Sequence, residues 1–319
     1  MILVVSYPGE DHTDAVVGTL ERQGREVTRL DLSDLPARAG LSLDYADGGR
    51  APRHEVTVDG RTVDLAGASV GWWRRIRGHD PDEALVEPGE RAFAVSETTQ
   101  AVGGMLDALP CTWVNPRAAD EAAHRKPYQW AVARGVGLRV PPTLVTNEPD
   151  RARAFVAGHG VGRTVFKSLL ASWDWRETRL VEAADLDRLA SVRYAPVIFQ
   201  EYVPGVDLRV TIVGTEVFAA EIDATRTSYP VDMRMVVGEA SMRAVALPPA
   251  LTDALITLMK RLDLVYGAVD LRRTAAGEYA FLEVNPAGLW LFAEERTGLP
   301  ITGAVAARLA ALDDEGRTR

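Results

Sequence analysis

Cysteine is almost missing from this 319-residue chain: Cys111 stands alone, which excludes an internal disulfide or a zinc site built from several cysteines and suits a reducing compartment. Basic charge is in deficit. Lys and Arg number 36 against 45 Asp and Glu, a net charge of −9, so a general coat for nucleic acid or an anionic membrane is disfavoured, whereas a local cationic pocket is not. Long apolar runs are lacking as well: Ile2 to Val5 gives way at once to Ser6, Glu10 and Asp11, far short of a signal segment or a spanning helix. No repeat and no low-complexity linker breaks the chain. What remains is 47% hydrophobic and 25% charged residues, the mix of a globular protein long enough for two or three domains. The expectation is a cytoplasmic protein with no membrane and no nucleic-acid partner.

The first stretch reads as strand, helix, strand. Ile2 to Val5 is continuous and β-branched, Thr13 can cap a helix carrying Val16, Val17 and Leu20, and Glu26 to Leu32 returns as a strand. Asp59-Gly60 turns a hairpin from Val56 to Val63, Val70 to Ile76 is a strand, and a long helix is expected over 90–109. This makes residues 1–115 one small α/β unit with a mostly parallel sheet. Its first turn has no GxGxxG, which disfavours a dinucleotide-binding redox enzyme. Arg117 to Arg134 reads as one helix ended by Gly135, and Pro141-Pro142 forces an extended connection. Strands and helices alternate to Tyr202. Hairpins then follow at Asp207–Asp223 and Val265–Asn285, with a loop over 224–232, a helix over 249–262 and a closing helix from Ile301 to Leu312.

The last hairpin carries paired acids. A two-residue turn at Ala276-Gly277 would set Asp270 opposite Glu283 and Arg272 opposite Phe281, with Asn285 one pleat beyond Glu283 on the same face. Carboxylates placed directly opposite repel unless a cation or a proton lies between them. Mg²⁺ suits such oxygen donors; a solvated hairpin face with incidental acids is the plainer alternative. Lys167 sits inside the strand-like run Thr164-Val-Phe-Lys-Ser168 and Lys126 precedes Pro127; each meets an anion or simply snorkels to solvent. Gln200-Glu201-Tyr202-Val203 ends a strand at Pro204-Gly205, where free backbone groups can pair with a purine. Asp207 and Arg209 share a strand face, and Arg234 follows Asp232 by two.

Taken in order, Lys126, Lys167, the hinge Gln200 to Val203, Asp207, Asp270 and Glu283-Val-Asn285-Pro286 resemble an ATP-grasp ligase. Within that superfamily the chain is similar to the RimK-like branch and to the microviridin-type (graspetide) peptide maturases, through Trp72-Trp-Arg74-Arg75, Thr112-Trp-Val-Asn-Pro116, Gln200-Glu-Tyr202, Asp207-Leu-Arg-Val210, Val231-Asp-Met-Arg234 and Phe281-Leu-Glu-Val-Asn-Pro-Ala-Gly-Leu-Trp290. The resemblance implies an α/β (α+β) ATP-grasp fold. Its parts would be a preATP-grasp domain at 1–115, a central subdomain at 116–202 and a C-terminal lobe with the metal site at 203–319. Lys126 and Lys167 would grip the phosphates of ATP, the backbone of Gln200, Glu201, Tyr202 and Val203 would read adenine, and Asp207 would bond the ribose. Asp270, Glu283 and Asn285 would hold Mg²⁺, Arg209 and Arg234 would be catalytic, and Arg74, Arg75, Asp232 and Trp290 would meet the substrate. As a plain structural alternative, one of Trp72 and Trp73 belongs to the core because they alternate along a strand.

Two features depart from the wider superfamily. The run Leu169 to Glu177 contains no glycine to cover phosphates, and Val269, not arginine, precedes the first metal acid. The implied partner is a precursor peptide with a leader and a core rich in Thr, Ser, Asp and Glu. Its acidic side chains would become acyl phosphates and close as ω-esters or ω-amides. The resemblance extends to homodimer formation, for which no sequence feature marks an interface. A RimK-like ligase adding a free amino acid would share every ATP residue, and a non-catalytic ATP- or peptide-binding module is the alternative from another class; intact Lys126, Lys167, Asp270, Glu283 and Asn285 count against the module.

Overall fold

A computed structural model describes residues 1–45, 52–170 and 177–318. They divide into two units, Met1–Arg117 with Pro300–Arg319, and Ala118–Leu299. Among the described residues no helix is long and apolar enough to cross a membrane.

The first unit contains β1 (Ile2–Val5), α1 (Asp11–Arg22), β2 (Val27–Leu30), β3 (Ala39–Asp44), β4 (Arg53–Val58), β5 (Arg61–Asp64), β6 (Val70–Trp73), α2 (Pro88–Ala108) and β7 (Thr112–Val114). Strands β2-β1-β6-β7 form a wholly parallel sheet, and β3-β4-β5 a separate antiparallel one. All four residues of β1 are buried, which is why that strand reads as an unbroken apolar run. Leu3 and Val5 pack with Val102, Met105 and Leu106 of α2. The expected Asp59-Gly60 turn forms with both residues at positive φ, 50° and 76°, as a type I′ hairpin requires. Trp72 lies in the core. The cap of α1 differs from expectation: Glu10, not Thr13, is the N-cap, its carboxylate accepting from Thr13 N at 2.8 Å. The closing helix, Ile301–Arg317, belongs to this unit and packs on α1, β1 and β6, because its buried Ala304, Val305, Leu309 and Leu312 need an apolar cover.

The second unit runs α3 (Arg117–Ala123), α4 (Lys126–Gly135), β8 (Thr143–Thr146), α5 (Pro149–His159), β9 (Thr164–Lys167), β10 (Arg179–Leu180), a 3₁₀ segment (Ala183–Tyr194), β11 (Val197–Glu201), β12 (Val206–Val213), β13 (Glu216–Asp223), β14 (Ser241–Val245), α6 (Pro249–Arg261), β15 (Tyr266–Arg273), β16 (Tyr279–Asn285) and α7 (Leu291–Thr297). Two antiparallel sheets result, β10-β9-β11-β8 and β14-β13-β12-β15-β16. The single helix expected over 117–134 is two helices. Pro127 has no N–H to donate to Ala123 O, so the first helix stops and Pro127 sits instead in the first turn of α4.

One face of the five-stranded sheet is apolar. Leu208, Val210 and Ile212 of β12 join Val269 and Leu271 of β15 and Leu255, Leu258 and Met259 of α6 in the main core. Strand alternation therefore turns Asp207, Arg209 and Thr211 to the opposite face.

Asp270 does pair with Glu283, but by another route than the one expected. The β15–β16 connection spans 274–278, with Thr274 N donating to Glu278 O at 2.9 Å, so Arg272 pairs with Ala280, not Phe281. A bulge between Asp270 and Leu271 then shifts the register by one. The longer loop and the bulge offset each other at Glu283. They also turn Phe281 into the core beside Leu271 and Val284, off the face shared by Glu283 and Asn285.

Candidate active site

The polar face of β12, β15 and β16 is a checkerboard of charge. Arg209 pairs across the strands with Asp270 and Asp207 with Arg272. Their side chains follow: Arg209 Nη1 lies 3.1 Å from Asp270 Oδ1 and Arg272 Nε 3.6 Å from Asp207 Oδ1. Arg209 also lies over the Phe292 ring at 5.6 Å. Lys126, the first residue of α4, forms an ion pair with Glu283. Arg234 is held by Asp232 through Nε at 2.8 Å and through Nη2, and Asp232 also accepts from Thr178 N at 3.0 Å.

Electrostatics tie these groups into one cluster. Burial pushes Asp270 up, opposed by Arg209 and reinforced by Glu283. For Glu283 burial acts in the same sense, but Lys126 and Lys167 outweigh it and hold the carboxyl at about 2. Burial lowers Lys167 against the pull of Glu283. Asp207 is pushed up to about 7 by burial, with Arg272 opposing. For Asp232 burial acts upward and is overcome by the hydrogen bonds and charge of Arg234. Two carboxylates thus face Lys126, Lys167, Arg209 and Arg234 in a chain of net charge −9.

The donor set fits Mg²⁺. Asp270 and Glu283 face each other across the β15–β16 pairing, Asn285 shares their face of β16, and Asp270 Oδ1 is buried without a well-formed hydrogen bond among the described residues. These are hard oxygen donors, two of them anionic. Among the described residues no three His, Cys, Asp or Glu side chains gather around one ion-sized point; the third donor here is an amide. Asn285 Oδ1 also accepts from Ala287 N at 3.0 Å, and Gly288 is needed just beyond, since a Cβ there would stand 2.3 Å from Ala268 Cβ.

Sequence reasoning missed three residues around this site, Gln129, Trp130 and Arg272. Gln129 is buried, with Nε2 donating to Val284 O at 2.8 Å and to Ala123 O, the carbonyl that Pro127 leaves unpaired, while Val284 N donates to Gln129 Oε1 at 2.9 Å. Trp130 Nε1 adds a bond to Leu282 O at 2.8 Å. Helix α4 thereby grips the edge of β16 and sets Lys126 against Glu283. The available signal was helical spacing, since Gln129 follows Lys126 by three. Arg272 enters the sequence reading only through its strand register; its place two residues after Asp270 on one strand face is the signal that sets it beside the cluster.

At the hinge, Glu201 N donates to Pro142 O at 2.9 Å and Tyr202 N to Arg163 O at 2.8 Å, so those two N–H groups are engaged. Gln200 is buried and donates through Nε2 to Thr143 Oγ1 at 2.8 Å. Of the residues expected to meet substrate, Arg74 lies buried in the first unit, 3.8 Å from Glu10, and Trp290 is 0% exposed, edge-on to Tyr266. Neither side chain presents an accessible surface. Arg75 is exposed in the first unit. Most of the glycine-free run Leu169 to Glu177 lies outside the described residues.

Residues 1–121 match the family described as the MvdD pre-ATP grasp domain. The macrocyclase MdnB of Microcystis aeruginosa MRC is 30% identical over 97% of this chain and 98% of its own, with a TM-score of 0.80. The chain belongs to this family of ATP-grasp macrocyclases. The macrocyclase MdnC of the same organism, solved with its precursor peptide MdnA, is 29% identical over 97% of this chain and 99% of its own, with a TM-score of 0.84. The ATP-grasp ligase PsnB, solved with a precursor variant, Mg and ADP, is 28% identical over 98% of both chains, with a TM-score of 0.79. No curated protein sequence matches. As an ATP-grasp macrocyclase the chain is an ATP-dependent ligase, and its preATP-grasp match lies within residues 1–121.

Proposed function

We propose that this ligase activates Asp or Glu side chains of a precursor peptide as acyl phosphates and closes them onto Ser or Thr hydroxyls as ω-esters, or onto Lys amines as ω-amides. The observation that carries the reading is the meeting of Asp270 and Glu283 with Lys126, Lys167, Arg209 and Arg234, a local cationic pocket around two acids. A carboxylate approaching the γ-phosphoryl group of a triphosphate needs that balance. MdnC was solved with a precursor peptide and PsnB with Mg and ADP, which supports carrying the same chemistry to this chain.

In this reading Lys126 and Lys167 neutralise the phosphates. Val203, the hinge residue just past the bonded N–H groups of Glu201 and Tyr202, reads adenine together with the backbone of that segment. Asp207 Oδ2, buried and without a hydrogen-bond partner among the described residues, accepts from a ribose hydroxyl. Mg²⁺ held by Asp270, Glu283 and Asn285 would supply charge neutralisation at the phosphates. A peptide carboxylate oxygen attacks the γ-phosphorus and ADP departs; the hydroxyl or amine then attacks the acyl carbon, phosphate departs and the nucleophile gives up its proton. Arg209 and Arg234 orient the carboxylate and the phosphoryl group, a task suited to guanidinium forks. A leader bound elsewhere raises the local concentration of the core. In this reading the enzyme works in the cytoplasm as a homodimer.

The test is mass spectrometry of the peptide encoded beside this chain, incubated with enzyme, ATP and Mg²⁺. Loss of one water per ring is expected. A gain equal to an amino-acid residue would instead identify a ligase that adds a free amino acid, and an unchanged mass with no ADP formed would identify a binding module.

A further inference from the structure

Arg272 is a buried cation that the chemistry above leaves without a task. Its Nη2 donates to Gly205 O at 2.8 Å and to Pro230 O at 3.4 Å, its Nη1 to Val231 O at 3.3 Å, and its guanidinium lies over the Tyr202 ring at 5.1 Å. Asp207 faces it from β12. Gly205 is itself pressed onto the same strand, where a Cβ would stand 2.1 Å from Arg273 O. One guanidinium therefore joins two segments far apart in sequence: the hinge at Tyr202 and Gly205, and the loop at Pro230 and Val231. The next residues of that loop are Asp232 and the Arg234 it orients. A planar fork with five donors can span such a set of carbonyls, and a lysine ammonium cannot.

We propose that Arg272 is a positioning residue that couples nucleotide occupancy of the hinge to the loop carrying Arg234, so that seating adenosine steadies the loop from which Asp232 aims that guanidinium. This rests on the assignment of the hinge to adenine and of Arg234 to the reacting groups. Coupling of this kind needs a physical element that both sites bias, and the Arg272 guanidinium is bonded to both.

Hydrogen–deuterium exchange on the full chain tests it with two probes, AMP and the β,γ-imido analogue of ATP with Mg²⁺. AMP has no γ-phosphate to meet Arg234 directly. In the wild type, saturating AMP should slow exchange about tenfold both at 200–207 and at 225–236. In Arg272→Lys, AMP should still protect the hinge while the loop exchanges as in the free protein. Protection of the hinge alone by AMP in the wild type overturns the proposal without need of any variant. Equal loop protection in Arg272→Lys overturns it too. If neither nucleotide protects the hinge, the adenine assignment itself fails, and the inference with it.

Discussion

Gln129 stands against Val284 as a neighbouring strand would, accepting from its N–H at 2.9 Å and donating to its carbonyl at 2.8 Å. One side-chain amide thereby continues the ladder at the edge of β16, next to the residue that pairs with Lys126. Gln129→Leu keeps the volume and strands the N–H and carbonyl of Val284 and the carbonyl of Ala123, which should cost about 2–4 kcal/mol of stability. Because Lys126 is carried on the same helix, the KM for ATP should rise along with the fall in Tm. Thermal denaturation and steady-state ADP release measure the two effects; an unchanged KM in a folded variant would show that the amide does not position the lysine.

Asp270 and Glu283 are expected to be needed for turnover and not for folding, since each faces cations that a neutral amide can still contact. Asp270→Asn and Glu283→Gln should each lower ATP-dependent ADP release about a hundredfold or more with a cooperative melt retained. Full activity in both variants would remove the metal assignment. Chelation of Mg²⁺ should likewise abolish turnover in the wild type while leaving circular dichroism unchanged.

The carboxylate pair was legible because a hairpin is local: Asp270 and Glu283 are joined by a short connection, and period-two alternation selects a face. Even there the path was misread, since a five-residue connection and a bulge replaced the expected two-residue turn and cancelled at Glu283. Gln129 and Arg272 could be placed on a face by spacing, but their contacts were not legible, for a different reason. Their partners are backbone atoms of Val284, Gly205, Pro230 and Val231, and a carbonyl carries no residue-type signature. The break between α3 and α4 was marked in the sequence by Pro127; helical periodicity on either side concealed it. The closing helix has an apolar stripe but nothing in its composition that names the unit it covers.

Glu10 gives the first unit a pH-dependent contribution. Burial alone would raise its carboxyl, but hydrogen bonds from His12 and Thr13 and the charge of Arg74 hold it at about 2, below the ordinary 4.5. A depressed carboxylate stabilises the fold above its unfolded pKa, and the contribution fades as pH falls from about 4.5 towards 2. Urea unfolding should show wild type ahead of Glu10→Gln by on the order of 2–3 kcal/mol at pH 7, with the gap narrowing below pH 4.5. A gap independent of pH would mean that the charge of Glu10 is not what the cap uses.

Arg209 and Arg234 are set differently, and their variants should fail differently. Arg209 is buried, fixed 3.1 Å from Asp270 and laid over Phe292, which in the proposed reading groups it with the acids assigned to the phosphates. Arg234 keeps 45% of its side chain exposed and is aimed by Asp232 from a loop, which suits it to meet an incoming carboxylate. Lysine in either place keeps the charge and loses the fork. Arg209→Lys should lower kcat about a hundredfold with little change in peptide KM, whereas Arg234→Lys should raise peptide KM about tenfold. Steady-state ADP release over a range of precursor concentrations separates the two. If both variants lose kcat alone, the two guanidinium groups act together on the phosphoryl group, and the peptide carboxylate must be oriented by other residues.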